Sequence, residues 1–247
     1  MHNITMDQSN KHRAAATHSK KMWISGNGWA AHSIWEHSAA TLEVFRRRAR
    51  DEAEEMTCAA QAAELLGRIA RPGETLLDVG CGTGYFYHSL RRRGLTLDYY
   101  GIDATAAFIE LGRLELKPFG ISPERLRVLR IEDFEGMADH VLCMNVLSNL
   151  DNFHRPLERL LKAAGKSLVL RESIKEGATY SYVRDNFLDP GVNLNIYVNA
   201  YDRSEIMDFI AGYGFVVREV VDRSSGGQAE MVIGHPHYWT FLVATRR

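Results

Sequence analysis

The chain has 247 residues, 45% hydrophobic and 25% charged, with 30 basic and 31 acidic side chains. That size suits one α/β domain with a full core, and a net charge of -1 leaves no basic excess to hold a phosphate backbone, so nucleic acid is not an expected partner. Cys58, Cys81 and Cys143 lack CxxC spacing, no run is long enough to span a bilayer, and the first residues lack an apolar signal core, so a cytoplasmic protein with no disulfide framework and no membrane partner is expected.

Residues 1–22 are polar and read as a mobile arm. Residues 23–72 read as a mostly helical cap. Within it, Ala59, Ala62, Ala63, Leu65, Leu66 and Ile69 recur at helical spacing, and Pro72-Gly73 stops the helix. The basic runs Arg46–Arg48 and Arg91–Arg93 read as solvated helix faces. From residue 73 onward, strands and helices alternate. Strands are expected at 75–79, 98–102, 126–131, 140–144, 167–170, 216–221 and 238–244, with helices at 85–93, 106–116, 153–164 and 204–211. Asp202 stands three residues before Glu205, a capping-box spacing. This alternation predicts βαβ units and a mostly parallel sheet. Residues 173–203 break the rhythm, and a connection that long inside a compact domain is expected to be a lid.

The first strand runs into Asp78-Val-Gly80-Cys-Gly82-Thr-Gly84-Tyr. The dinucleotide fingerprint GxGxxG would place its third glycine at position 85, where a tyrosine stands. The next strand ends in Asp103, 19 residues after Gly84. A carboxylate there can accept from two ribose hydroxyls. The spacing Asp78-x-Gly80-x-Gly82-x-Gly84 with a later Asp103 resembles the first motifs of class I S-adenosylmethionine (SAM)-dependent methyltransferases. The resemblance covers residues 74–172 well and the later strands loosely.

It implies a Rossmann-like, doubly wound, seven-stranded sheet of order 3-2-1-4-5-7-6, mostly parallel, with a helical N-terminal cap. It also implies SAM as cofactor. Gly80 and Gly82 would give room for the amino-acid end of SAM, Asp78 would meet its ammonium, and Asp103 would hold the ribose. Glu132 or Asp133 would face the adenine amino group. Cys81, Gly84, Ala104 and Ile131 belong to the same loops, and the Asn145 carbonyl is a further ammonium acceptor.

The methyl acceptor is less legible, because an activated methyl demands mainly alignment and, at times, a base. Asn145-Val-Leu-Ser is not the (Asn/Asp)-Pro-Pro-aromatic motif of exocyclic-amine methylases, and Cys143 lacks the preceding proline of cytosine methylases. Arg171-Glu172 stands where metal-dependent catechol-type enzymes carry Asp-Asn. His154, His235 and His237 are candidate bases, and no third ligand is spaced to make His235-x-His237 a metal site. Tyr180, Tyr182, Arg184, Tyr197 and Tyr201 could line an acceptor pocket under the lid. Trp23, Trp29, His32, Trp35 and His37 could close over the cofactor. The expected activity is methyl transfer to oxygen or nitrogen of a small metabolite, such as a sugar, a nucleotide sugar or a natural-product intermediate. A protein or RNA methyltransferase, or a SAM-binding module without activity, are the alternatives, and a homodimer stays open.

Overall fold

The computed structural model describes residues 31–247. The expected arm and the tryptophans Trp23 and Trp29 lie outside the described residues. The cap is built from helices α1 (Ile34–His37), α2 (Ala39–Ala49) and α3 (Thr57–Gly67). It is not one continuous helical run: Asp51 takes a left-handed backbone at φ 60°, which breaks the chain between α2 and α3.

The strands β1 (Thr75–Val79), β2 (Asp98–Asp103), β3 (Leu126–Val128), β4 (Ala138–Met144), β5 (Ala164–Lys175), β9 (Phe215–Val221) and β12 (Trp239–Arg246) form one sheet of order β3-β2-β1-β4-β5-β12-β9. This is the implied order 3-2-1-4-5-7-6. The first five strands run parallel and β12 is antiparallel to both its neighbours. Helices α4 (Phe86–Arg92), α5 (Ala106–Glu115), α6 (His154–Ala163) and α7 (Arg203–Gly212) complete the alternation. The α7 cap is as expected, with the Asp202 carboxylate accepting from the Glu205 N–H at 3.0 Å.

Period-two alternation explains why both faces of the sheet are covered. Leu77, Val79, Val141, Cys143, Leu168 and Leu170 enter a core shared with α6 and α7. Leu76, Leu142 and Val169, one residue out of phase, enter the core under α3, α4 and α5. Asp78 shares the parity of Leu76, so the fold turns a carboxyl into the second core.

Two elements depart from expectation. Strand β3 stops at Val128, and Ile131–Asp133 forms a single 3₁₀ turn, because β3 lies at the sheet edge and only three residues pair with β2. Strand β5 continues to Lys175, well past Leu170, because β12 pairs with it as far as Ser173 and β8 (Tyr201–Asp202) pairs with its end. The lid between β5 and α7 holds a hairpin, β6 (Tyr182–Arg184) with β7 (Asn195–Tyr197). A second hairpin, β10 (Glu230–Val232) with β11 (His235–His237), precedes β12. The basic runs are ion-paired: Arg46 with Glu43, Arg92 with Asp51, Arg93 with Glu55. No helix among the described residues is long and apolar enough to cross a membrane.

Candidate functional site

The strand order reverses between β1 and β4, and in open α/β sheets the crevice at the carboxyl ends of such strands is where ligands bind. The loop after β1 enters this crevice. Gly80, Gly82 and Gly84 all have positive φ, at 69°, 57° and 77°. The loop is pinned to β2: the Gly80 and Cys81 N–H groups donate to the Ile102 carbonyl, and the Gly82 N–H donates to Asp103 Oδ2 at 2.8 Å. Thr105 N–H donates to Asp103 Oδ1 at 2.8 Å. Asp103 therefore shapes the turn. Burial pushes its carboxyl up to about 6, against those two N–H donors, with the Glu36 charge adding to the rise.

Beneath the loop, Asp78 is 4% exposed and accepts from the Tyr99 hydroxyl at 2.7 Å. Burial pushes it up to about 7; the Tyr99 hydrogen bond opposes this and the Asp103 charge reinforces it. Two carboxylates, one on β1 and one at the end of β2, are thus held with little opposing positive charge, an arrangement that favours a cationic or hydroxyl-rich ligand.

Protein side chains stand where side chains on Gly80 and Gly82 would project. A Cβ on Gly80 would lie 2.2 Å from Val146 Cγ2, and one on Gly82 would lie 2.3 Å from the Phe45 ring. Phe45 of α2 stacks on Phe108 at 4.4 Å and meets Tyr85 edge-on at 5.6 Å. The Arg48 guanidinium lies 5.4 Å from both the Phe45 and Tyr85 rings. Glu36 of α1 accepts from the Ala106 N–H, at the start of α5, at 2.7 Å. The cavity left beside Asp78, Gly80, Cys81, Tyr85, Phe86 and Met144 is about 20 Å³.

At the end of β3, Ile131 is buried in the core, Glu132 accepts from Arg130 at 3.1 Å, and Asp133 is exposed. Ala104 is half-buried beside Asp103. At the end of β4, Asn145 has φ 59°. Its carbonyl accepts from Asn149 Nδ2 at 2.8 Å, and its side-chain oxygen accepts from Arg171 Nη1 at 2.5 Å.

Arg171, Asp222 and Glu172 escaped the sequence reading. Glu172 is fully buried and accepts from the N–H groups of Val146, Leu147 and Ser148 at 2.7, 2.8 and 3.0 Å, so it sets the loop that presses on Gly80. Burial raises its carboxyl above the usual range while those three N–H groups pull it back. The signal was an Arg-Glu pair inside an apolar strand, since charges so placed are almost never buried unpaired. Phe45 and Glu36 carried no such signal.

The three histidines are placed differently. His237 is buried and stacks on Trp239 at 4.7 Å. Its Nδ1–H donates to the His235 carbonyl at 3.0 Å, which makes Nε2 the proton acceptor of the neutral ring. Burial pushes it below the usual imidazole range. His154 stacks on Phe153 and lies 3.2 Å from Glu205 of α7. His235 is half-buried on β11. Among the described residues, no group of three or more His, Cys, Asp or Glu could hold a metal.

The lid residues separate too. Tyr182 and Tyr197 pair across the β6–β7 hairpin with rings 4.4 Å apart, and Arg184 donates to the Asn193 carbonyl. Tyr180 is exposed. Tyr201 is fully buried, its hydroxyl donating to the Leu147 carbonyl at 2.5 Å, so it anchors the lid's root to the β4 loop and is not an open pocket wall.

Residues 77–168 match the family described as methyltransferase domain. A ubiquinone biosynthesis O-methyltransferase of Hahella chejuensis is 37% identical over 86 residues, 34% of this chain and 35% of that protein. One from Acinetobacter baumannii is 33% identical over 82 residues, 32% and 34% of the two chains. The chain thus spans about a third of the length of the curated relatives it matches. Among solved structures, the magnesium protoporphyrin IX methyltransferase of Synechocystis with bound SAH superposes with a TM-score of 0.59 at 17% identity, covering 88% of this chain and all of that one. An S-adenosylmethionine-dependent methyltransferase from Clostridium acetobutylicum gives 0.56 at 12% identity, covering 83% and 96%. These likenesses establish the fold.

Proposed function

We propose that the chain, whose residues 77–168 match the methyltransferase domain, is a class I, Rossmann-like SAM-dependent methyltransferase that binds SAM at the β1–β2 crevice and transfers its methyl group to oxygen or nitrogen of a small metabolite. The observation that carries this reading is Asp103, which reaches back from the end of β2 to accept from the Gly82 N–H of the glycine loop. The acceptors suit the cofactor: Asp103 for the ribose hydroxyls, Asp78 for the ammonium, and Glu132 or Asp133 for the adenine amino group, with Cys81, Ala104 and Ile131 as walls. The 20 Å³ cavity has room for about a water or two, so the crevice must widen for the cofactor to enter.

When bound, SAM supplies a methyl carbon on sulfonium sulfur, activated toward displacement. The protein's task is then to hold an acceptor in line and to accept its proton. His237 is the proposed base, because its Nδ1–H is tied to a carbonyl and its neutral form is favoured. His154, engaged with Glu205, and the half-buried His235 are weaker candidates. Tyr180, Tyr182, Tyr197 and Arg184 would meet the acceptor if the lid folds over it. A balanced net charge and an extended lid support a small acceptor, a sugar or a natural-product intermediate, over a macromolecule. The relatives named as O-methyltransferases favour oxygen.

The test is calorimetry with SAM, S-adenosylhomocysteine (SAH) and NAD, followed by SAH release across a panel of acceptors. SAM and SAH should bind and NAD should not. Asp103→Ala should weaken SAM by about a hundredfold, the loss expected when hydrogen bonds to a charged group go. Unchanged SAM affinity in that variant would overturn the placement of the ribose.

A further inference from the structure

Strand β5 carries a cation where its neighbours Val169 and Leu170 are apolar. Arg171 is 3% exposed and its partner Asp222 is fully buried. The guanidinium makes three different contacts. Nε donates to Asp222 Oδ2 at 2.7 Å, Nη1 donates to Asn145 Oδ1 at 2.5 Å, and the planar group lies 4.4 Å from the centre of the Trp239 ring. Asp222 is itself fixed by the Ser225 N–H at 2.9 Å. Trp239 in turn carries His237 stacked on it. The Arg171 carbonyl also takes the Asn145 N–H at 2.8 Å, so one residue holds Asn145 by backbone and by side chain.

A buried ion pair is a poor device for stability alone, since apolar residues of similar volume often do as well or better. A lysine could not replace this one, because a point charge lacks the planar fork that serves two acceptors and an aromatic face together. The three contacts have one thing in common. Asn145 lies at the carboxyl end of β4, in a left-handed turn, next to the Val146 that presses on Gly80. Trp239 and His237 lie at the start of β12, two strands away across β5.

We propose that Arg171, held by Asp222, is a positioning residue of the methyl-transfer site. It sets the Asn145 turn, where the amino-acid end of the cofactor would rest, and the Trp239–His237 stack at one fixed spacing. This rests on the function proposed above and adds to it a residue that acts through its neighbours without touching the reacting atoms.

The experiment titrates SAH and methylthioadenosine, which lacks the amino-acid end, into the wild-type chain, Arg171→Lys and the paired variant Arg171→Met with Asp222→Leu, with Tm measured in parallel. Loss of a charged hydrogen bond at the Asn145 end should raise the Kd for SAH about tenfold in both variants. Methylthioadenosine should stay within about twofold, because its contacts lie on the Asp103 side. The paired variant should hold a Tm near wild type. Full SAH affinity in either folded variant would overturn the proposal, and so would equal loss for both ligands, which marks general loosening. If the paired variant does not fold, Arg171→Lys decides alone. A wild-type chain that binds neither ligand would instead remove the function on which the proposal stands.

Discussion

Asp78 is a carboxyl strongly displaced by its surroundings. Its folded value near 7 lies above the 3.8 of a free aspartate, so between about pH 4 and 7 the folded chain keeps a proton that the unfolded chain has lost. The sign follows: this group's contribution to stability is intact below pH 4 and is lost as pH rises through 7. Asp78→Asn, which cannot titrate, should therefore gain Tm relative to wild type as pH goes from 5 to 8, about 2–4 °C for each kcal/mol at this chain length. The same proton reports on the ligand. A cation brought beside Asp78 favours the carboxylate, so SAM should bind more tightly at pH 7.5 than at pH 5.5, with proton release. Calorimetry in buffers of different ionisation enthalpy measures that proton directly. Heats independent of buffer would mean that the cationic end of SAM lies elsewhere.

At the scale of elements, α2 is the segment expected to gate the crevice. Its Phe45 ring sits where a Gly82 side chain would be and stacks on Phe108 of α5. A stacked aromatic pair adds about 0.5–1.5 kcal/mol beyond its buried area, enough to bias the cap toward closure without locking it. Phe45→Ala should speed both association and release of SAH in stopped-flow measurements, and an unchanged association rate would place the gate in another element. That contact was not legible in the sequence, whereas the loop it covers was. Glycines at alternate positions followed by Asp103 are a local pattern, and local patterns survive without knowledge of the fold. The strands β1, β2 and β4 were equally readable, since each is a short run with apolar or aromatic residues between helical stretches. Phe45 is one apolar residue in a charged helix, and its partner Gly82 is 37 residues away, so only the folded chain reveals the contact. Arg171, Glu172 and Asp222 were hidden for a related reason. Arg171 and Glu172 look like a strand end until β12 is seen to extend β5 past them, and Asp222 follows β9, 51 residues from its partner Arg171.

Across the whole molecule, three segments far apart in sequence meet in a small apolar cluster of their own. Ile34 of α1, Ile196 and Val198 at the lid's second strand, and Ile233 in the β10–β11 turn pack together, apart from the two sheet cores. Ser38 donates to the Leu188 carbonyl at 3.2 Å, joining cap and lid again. On its other side α1 reaches α5 through Glu36. Cap and lid are therefore expected to order as one unit above the crevice, with cofactor on one side and acceptor on the other. Ile34 is the test position, being 2% exposed and central to the cluster. Ile34→Ala should cost about 2–5 kcal/mol if the site cannot collapse, and the loss should fall on the cluster because the sheet cores do not share its contacts. In hydrogen exchange followed by mass spectrometry, peptides over residues 39–49 and 181–199 should both exchange faster, while those over β4 and β5 should keep their protection. Faster exchange in the cap alone would show that lid and cap open independently, and cofactor entry could then be studied without reference to the acceptor.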